Sequence, residues 1–214
     1  MEVHAPHGAI HSLKEFFVHL LTVTIGILIA LSLDGWVERS HHRSLLREAR
    51  AHIGAEIRDN RDRLQKGLAL APEAEARLRV TMEAMETHRR TPQAPWPDLN
   101  WSFGIYPLSS TAWSSASSAG AVGLMDYSEV QRNTRVYLLQ DQFLSIQQRA
   151  LERWLNLQKW SERMKRPQGG PPSLSPEEMQ QVESAASEAL IYTQTEESIA
   201  GTLVEQYAQA LQKP

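Results

Sequence analysis

One long apolar segment near the N-terminus constrains this chain more than any other feature. Residues 16–36 read FFVHLLTVTIGILIALSLDGW, and their only ionisable side chains, His19 and Asp34, lie near the two ends. In an α-helix this segment extends about 31 Å, which matches the roughly 30 Å hydrocarbon core of a bilayer. Its large apolar side chains favour insertion by about 5 kcal/mol in total. Residues 16–36, the span, therefore predict a single membrane-spanning helix.

Two alternatives to a membrane anchor fit the sequence less well. A cleaved signal peptide would carry Glu2 and Glu15 against Lys14 in its N-terminal region, and no A-x-A cleavage site precedes the charged stretch after Trp36. A buried helix of a soluble protein would need other strongly apolar segments to surround it, and the remaining sequence has none.

The charges that flank the span predict its orientation. Lys14 precedes it, whereas four arginines follow it closely: Arg39, Arg43, Arg47 and Arg50. Because lysine and arginine accumulate on the cytoplasmic side of a membrane, the C-terminal body is expected in the cytoplasm. The chain contains no cysteine, so no disulfide framework argues for an oxidising compartment.

Small side chains recur on one face of the span. Thr22, Gly26 and Ala30 are four residues apart, and Asp34 continues the row to the membrane edge. Such a row lets a second helix approach closely, although small residues are also common in membrane helices without that role. These four residues are the candidate helix-pairing face. Its predicted partner is a second copy of the chain or another membrane protein.

The rest of the sequence predicts helices and no strands. Apolar residues recur at helical spacing, with breaks at Pro72, at the proline-rich residues 92–107 and at residues 167–176, and period-two alternation is absent. The predicted fold is all-α: a tail (1–15) and a transmembrane helix (16–36) that runs directly into an antiparallel helical bundle (37–214). Short connections should make consecutive helices antiparallel neighbours.

Several helix ends have sequence signals. Gly120 predicts a helix stop, and Asp126 with Glu129 resembles a capping box that begins what should be the longest helix, to Arg166. Ser175 with Glu178 predicts a second capping box at the start of the last helix. That helix should bury an apolar face made of Met179, Val182, Ala186, Leu190, Leu203 and Tyr207.

Aromatic residues concentrate around the proline-rich loop. They are Trp96, Trp101, Phe103, Tyr106 and Trp113. The first interpretation is packing, since large rings bury the most area when an irregular loop must be fixed to a domain. The alternatives are a ligand groove, a peptide-binding surface or contact with the membrane interface.

No catalytic or metal-binding pattern emerges from the other polar residues. The serine-rich residues 108–123 contain neither G-x-S-x-G nor S-x-x-K, and no Walker loop occurs. His4, His7 and His11 could share a helix face, but no further ligand completes a metal site. Glu196 and Glu197 are expected on a solvated helix face. No cofactor, no metal and no enzymatic activity are predicted, and the lack of a basic stripe with stacking aromatics argues against nucleic acid.

Two patches of sequence resemble a known group of proteins. The first comprises TIGILIAL at residues 24–31, Trp36 and the E-I-x-x-N of residues 56–60; the second is LSSTAWSSASSAGAVGLMDYSEV at residues 108–130. Both are similar to a group of uncharacterised bacterial single-pass membrane proteins. The resemblance implies an anchored helical domain in a bacterial inner membrane, and it supplies no activity, substrate or catalytic residue.

These observations predict a non-enzymatic, membrane-anchored helical interaction module that works as a scaffold or accessory subunit. Its expected partners are the lipid bilayer and a second copy of the chain or another membrane protein. The alternative is an extracytoplasmic ligand-sensing domain, in which residues 96–113 close a pocket between helices.

Overall fold

A computed structural model describes residues 13–97, 99, 101–164 and 174–212 of the chain. Within these residues there are helices and connecting segments and no strand, so the all-α fold predicted from the sequence is confirmed. The chain divides into two compact units, Met1–Glu48 and Ala49–Pro214. The histidine-bearing part of the tail and most of residues 167–176 lie outside the described residues.

The described residues form six α-helices and one short 3-10 helix. The α-helices are α1 (Leu13–Leu68), α2 (Ala71–Arg90), α3 (Thr111–Ser118), α4 (Tyr127–Gln158), α5 (Ser161–Met164) and α6 (Pro176–Leu211), and the 3-10 helix is Ala121–Leu124. The predicted continuation of the span into the next helix is confirmed, because both belong to α1. The prediction that the longest helix follows Asp126 is wrong, since α1 has 56 residues and α4 ends at Gln158.

The first unit is described from Leu13 onward, where it is the N-terminal part of α1, and the apolar side chains of the span are not buried among the described residues. Every large apolar residue of the span is exposed, from Phe16 at 44% to Trp36 at 64%. None of the most apolar window of this helix is buried, and the helix is long and apolar enough to cross a membrane. Water is a poor solvent for such a surface, since each buried methylene group is worth about 0.8 kcal/mol.

The second unit is a helical bundle in which α6 is antiparallel to both α4 and α2. Tyr207 Oη donates to Gln140 Oε1 at 2.5 Å and Trp154 Nε1 donates to Thr193 Oγ1 at 3.0 Å, so numbers rise along α4 as they fall along α6. Gln194 pairs with Glu75, and Glu183 with Arg89, in the same opposed order. The apolar core between these helices includes Leu78, Met85, Trp154, Leu157, Val182 and Ala186.

The part of α1 from Ala49 onward runs parallel to α4. Tyr137 Oη donates to Glu56 at 2.8 Å, and Asn60 Nδ2 donates to Gln140 Oε1 at 3.0 Å, so residue numbers rise together along the two helices. Since α2 and α4 are both antiparallel to α6, this part of α1 and α2 run in the same direction. The expectation that a short connection makes them antiparallel neighbours is therefore wrong.

The link between α1 and α2 bends the chain without reversing it. Leu70 keeps helical angles (φ −95°, ψ −12°), and Ala69 N still donates to Gln65 O at 3.2 Å. Pro72 lacks an N–H and its ring crowds the carbonyl four residues earlier, so it interrupts the helix here. No left-handed residue is present at this point to turn the chain back.

Most predicted helix ends and core positions are confirmed. Ser175 and Glu178 form the predicted capping box, and the six predicted core residues of α6 are all buried. Gly120 has φ +78° where α3 ends, a conformation that suits glycine. The capping box predicted at Asp126 is wrong: the Asp126 side chain makes no cap, and the Glu129 carboxylate is bound by Arg50 at 2.6 Å.

Residues 91–126, the strap, connect α2 to α4 and run along the bundle in the direction opposite to α1 and α2. Trp101 forms a hydrogen bond with Thr81 on α2, and Tyr106 forms one with Gly67 near the end of α1. Ser109 forms one with Asn60, which precedes Gly67 by about two turns of α1. The strap therefore returns the chain to the end of the bundle at which α4 begins.

Candidate functional site

The five aromatic residues singled out from the sequence are all half-buried against helices of the bundle. They are distributed along the strap and do not converge on one pocket. Trp96 lies edge-on to His88 with ring centroids 5.3 Å apart, Phe103 packs on Trp154 at 5.7 Å, and Trp113 stacks on Tyr137 at 5.5 Å. Trp101 Nε1 donates to Thr81 Oγ1 at 2.9 Å, and Tyr106 Oη donates to Gly67 O at 3.3 Å.

A glycine on α1 makes room for the Tyr106 ring. A Cβ built on Gly67 would lie 2.5 Å from Tyr106 Cε1, closer than any side chain tolerates. Gly67 therefore lets the strap approach the helix backbone directly, and Tyr106 fills the space that a larger residue would occupy.

The centre of the strap is held by Asn60, which is 2% exposed on α1. Its side-chain amide matches the backbone of Ser109 at both ends: Ser109 N donates to Asn60 Oδ1 at 2.9 Å, and Asn60 Nδ2 donates to Ser109 O at 2.7 Å. The Asn60 amide thus pairs with Ser109 as a neighbouring peptide group would, through one donor and one acceptor. It places the E-I-x-x-N patch and the LSSTAW patch of the sequence in direct contact.

Glu56 lies one turn before Asn60 and caps α3 from outside that helix. Its Oε2 accepts from Ser109 Oγ at 2.6 Å and from Ala112 N at 2.9 Å, and its Oε1 accepts from Tyr137 Oη at 2.8 Å. Ser110, the residue at the N-cap of α3, provides no side-chain cap of its own. The carboxylate thus satisfies a free N–H at the positive end of the α3 dipole.

Gln140 and Tyr207 complete this network on the bundle side. Gln140 is fully buried; its Oε1 accepts from Asn60 and from Tyr207 Oη, while its Nε2 donates to Ser109 O at 3.1 Å. Burial raises the pKa of Tyr207, and burial together with Glu56 raises the pKa of Tyr137. Both phenols are therefore fixed as neutral hydrogen-bond donors, and the network links α1, the strap, α4 and α6.

A second polar cluster lies where α6 passes α2. Glu196 was expected on a solvated face, but it is 5% exposed, which corrects that prediction. Gln147 Nε2 donates to Glu196 Oε1 at 3.0 Å, and this bond permits the carboxyl group inside the bundle. Burial raises the pKa of Glu196 to about 7. Glu197 is half-buried; burial and the nearby Glu75 raise its pKa to about 7 as well.

Glu75 differs from its two neighbours. Burial raises the pKa of Glu75, but hydrogen bonds from Arg79 and Gln194 outweigh burial and hold that pKa below its usual value. A cavity of about 30 Å³ lies beside Glu196 and Glu197, lined also by Phe103 and Tyr106. It has room for one or two water molecules. The cavity is therefore too small for a sizeable ligand.

A larger groove of about 200 Å³ lies where Trp96 meets the end of α2. His88, 6% exposed, lines it, and Nδ1 of that ring has no hydrogen-bond partner among the described residues. An imidazole with one free nitrogen can accept or donate a hydrogen bond. Of the predicted aromatic residues, Trp96 is the one that lines this groove.

The candidate helix-pairing face is exposed throughout. Thr22 Oγ1 donates to Val18 O at 2.9 Å within its own helix, and a Cβ at Gly26 would meet no atom within 4 Å. Gly26, Ala30 and Asp34 lie on the same side of α1 by their spacing. The surface is open to a second helix, and its pairing stays a prediction.

Sequence reasoning missed the polar side chains that hold the bundle together. Asn60, Gln140, Gln147, Thr193 and Glu196 fall at helical positions facing the core, where a search for apolar spacing registers a gap. A signal was present, because each polar residue interrupts an otherwise apolar row in phase with it. Uncharged polar residues in phase with an apolar row point to paired buried groups.

Comparisons of the chain with models of protein families, with curated proteins and with solved structures found no match. The resemblance of residues 24–31, Trp36, residues 56–60 and residues 108–130 to bacterial single-pass membrane proteins therefore stays a prediction. The contact between Glu56, Asn60 and Ser109 gives both patches a shared structural role.

Proposed function

We propose that this chain is a membrane-tethered helical interaction module, a scaffold or accessory subunit held in a bacterial inner membrane by residues 16–36. One observation carries the proposal: the apolar side chains of the span are exposed along the whole helix, with none of its most apolar window buried. A bilayer satisfies that surface without any further protein.

The tethered bundle supports an interaction role more than a chemical one. The contacts at Glu56, Asn60 and Gln140 are hydrogen bonds that fix the strap, and every donor in them is directed at an acceptor of the same chain. Such a network rigidifies a surface. The pairing face of the span provides the second element, since Gly26 and Ala30 leave space for a helix backbone.

A crosslinking experiment in membranes tests the pairing role. A photo-crosslinking amino acid at Ala30 should give one defined adduct, while the same group at Leu28, on another side of the helix, should give little. Gly26→Leu should remove the Ala30 adduct, because the larger side chain holds the partner helix away. Ile27→Leu is the matched control and should keep it. Equal adducts from both sides of the helix would contradict the proposal.

The arginine bias places the bundle in the cytoplasm in this proposal. Reporters fused after residue 214 test it. A reporter that functions only in the cytoplasm should be active, and activity of a reporter that functions only outside the cytoplasm would reverse the orientation without affecting the anchor.

A second function, ligand sensing, is favoured by the groove beside Trp96, where His88 Nδ1 has no hydrogen-bond partner in the described part of the chain. In this case a compound should raise the melting temperature of the full chain but not that of Trp96→Leu. Trp113→Leu, which removes a ring that packs on Tyr137 away from the groove, is the control. A compound that acts equally on all three proteins would argue against the groove.

A further inference from the structure

Three arginines form a row on α1 directly after the span. Arg39, Arg43 and Arg47 are spaced by four residues and are all exposed. At about 100° per residue they lie within roughly 80° of the helix circumference, and Trp36, 64% exposed, lies on the same side. We refer to Arg39, Arg43 and Arg47 as the arginine face.

The arginine face has no acidic partner among the described residues. Glu38 and Glu48 lie roughly 100° or more from the row, and the Glu48 carboxylate accepts from Ser44. The next arginine, Arg50, differs, because it forms a bidentate ion pair with Glu129. Three neighbouring guanidinium groups thus point to one side of the helix and remain available for an external anion.

The Arg39 side chain is directed back toward the span. Its Nη2 lies 4.0 Å from the position that a Cβ on Gly35 would occupy. Side chains on a helix lean toward its N-terminus, and Gly35 leaves space for the guanidinium there. The charge therefore lies at the level of the last residues of the span, where a bilayer has its phosphate groups.

The distances along the helix place Arg39 within the polar layer of a membrane, Arg43 just beyond it and Arg47 farther out. From Trp36, Arg39 is about 4 Å and Arg43 about 10 Å along the axis, and the polar layer is roughly 5–7 Å thick on each side. Arg47, about 16 Å from Trp36, is still close to one Debye length of roughly 8 Å from the outer edge of that layer.

We propose that the arginine face binds the phosphate groups of anionic phospholipids and fixes the rotation and depth of α1 in the membrane. This rests on the proposed membrane anchor. Guanidinium groups bind phosphate oxygens in bidentate geometry, and each arginine near an anionic surface strengthens binding by about fivefold. The indole of Trp36 lies on the same side, at the depth where tryptophan is enriched at membrane interfaces.

Trp36 provides a local probe for the experiment. The full-length protein is reconstituted into vesicles of phosphatidylcholine that contain brominated phosphatidylglycerol or brominated phosphatidylcholine, and quenching is measured against Trp36→Phe to isolate this indole. Brominated phosphatidylglycerol should quench at a several-fold lower mole fraction than brominated phosphatidylcholine. One molar salt should reduce the preference.

The variants should act in a defined order. Arg39→Gln should lower the preference for phosphatidylglycerol by about fivefold, Arg43→Gln by less and Arg47→Gln by least, following their distances from the span. Arg58→Gln, an exposed arginine later in α1, is the matched control and should leave the preference unchanged. Equal quenching of the parent protein by both lipids would overturn the proposal. So would a preference for phosphatidylglycerol that persists when all three arginines are replaced by glutamine.

Flotation of the same samples separates this proposal from the anchor. If the protein floats with vesicles of either composition and shows no lipid preference, the arginine face is refuted and the anchor stands. If the full chain does not float with vesicles of any composition, the anchor itself fails and the arginine face with it.

Discussion

The span and the bundle differ in which side chains they expose and which they bury. Residues 16–36 leave leucine, isoleucine and phenylalanine exposed on every side, while the bundle buries Asn60, Gln140 and Gln147 almost completely. The span needs only a solvent that resembles its own side chains. The bundle needs each polar group to meet its complement, because a buried group without one costs about 1–3 kcal/mol. The first requirement depends on composition and the second on geometry.

The largest effect is expected from charges placed in the span. Two arginines, at Leu28 and Ile29, cost about 6 kcal/mol at the centre of a bilayer, more than the roughly 5 kcal/mol by which the segment favours insertion. Leu28→Arg with Ile29→Arg should therefore abolish integration, measured by resistance of the protein to carbonate extraction. Leu70→Arg with Val80→Arg, at exposed apolar positions of the bundle, is the control. Retention of the span variant in the membrane would break the comparison.

The next effect should come from removing a shared partner in the bundle. Gln140→Leu keeps the volume but leaves Tyr207 Oη without its acceptor and removes one of the two hydrogen bonds that Ser109 O accepts. It also removes the hydrogen bond from Asn60 Nδ2 to Gln140. The free energy of unfolding in detergent should fall by about 3 kcal/mol. Gln148→Leu, at an exposed position of the same helix, should change it by less than about 0.5 kcal/mol. Equal effects would show that the network does not determine stability.

Glu196 should make the bundle less stable as pH rises. Burial raises its pKa to about 7 from the usual 4.5. The protonated form is favoured on folding, so this stabilisation is complete below about pH 4.5 and is lost as pH rises through 7. Glu196→Gln keeps the bond from Gln147 and should be more stable than the parent at pH 8, by roughly 2 kcal/mol, with little difference at pH 4.5.

Glu205→Gln supplies the reference for that measurement. Glu205 is exposed on the same helix, so its replacement controls for the loss of one carboxylate from α6. A Glu196→Gln variant with the same pH profile as the parent would refute the raised pKa.

Glycine substitutions should give the smallest effects, of opposite sign. Gly67→Ala places a Cβ 2.5 Å from the Tyr106 ring and should lower the free energy of unfolding by about 1–2 kcal/mol. Gly201→Ala meets nothing within 4 Å on α6 and should raise it by about 0.5–1 kcal/mol through helix propensity. Urea denaturation measures both. The same sign for both variants would contradict the close approach of the strap.

The structural features that depend only on neighbouring residues in the chain were predicted from the sequence. Three features are each determined by a few consecutive residues and appear as expected. They are the apolar helix of the span, the end of α3 at Gly120 and the capping box at Ser175. The capping box at Asp126 does not form, and the Glu129 carboxylate is instead bound by Arg50, far away in sequence. The predicted direction of α2 was wrong because Pro72 is compatible both with the start of a new helix and with a bend in a continuing one.

The candidate sites show the same difference between features set by nearby residues and features set by distant ones. Packing of the five aromatic residues follows from their size, and the structure half-buries each of them. The pairs Asn60–Gln140 and Gln147–Glu196 join residues 80 and 49 positions apart, and no local pattern identifies such partners. Their role emerges only once the fold has set the register of the helices.

The order of the helices determines what happens during synthesis. The core of the bundle needs α6, which ends about 140 residues after α1 ends, and at about 5–20 residues per second this takes roughly 7–28 s. During that interval the span leaves the ribosome, while Leu78 and Met85 lack the α6 residues of their core, among them Val182 and Ala186. In the proposed membrane-anchored form, the nascent chain is therefore tethered early and its bundle is completed late, so the unfinished core is the stage most prone to misfolding.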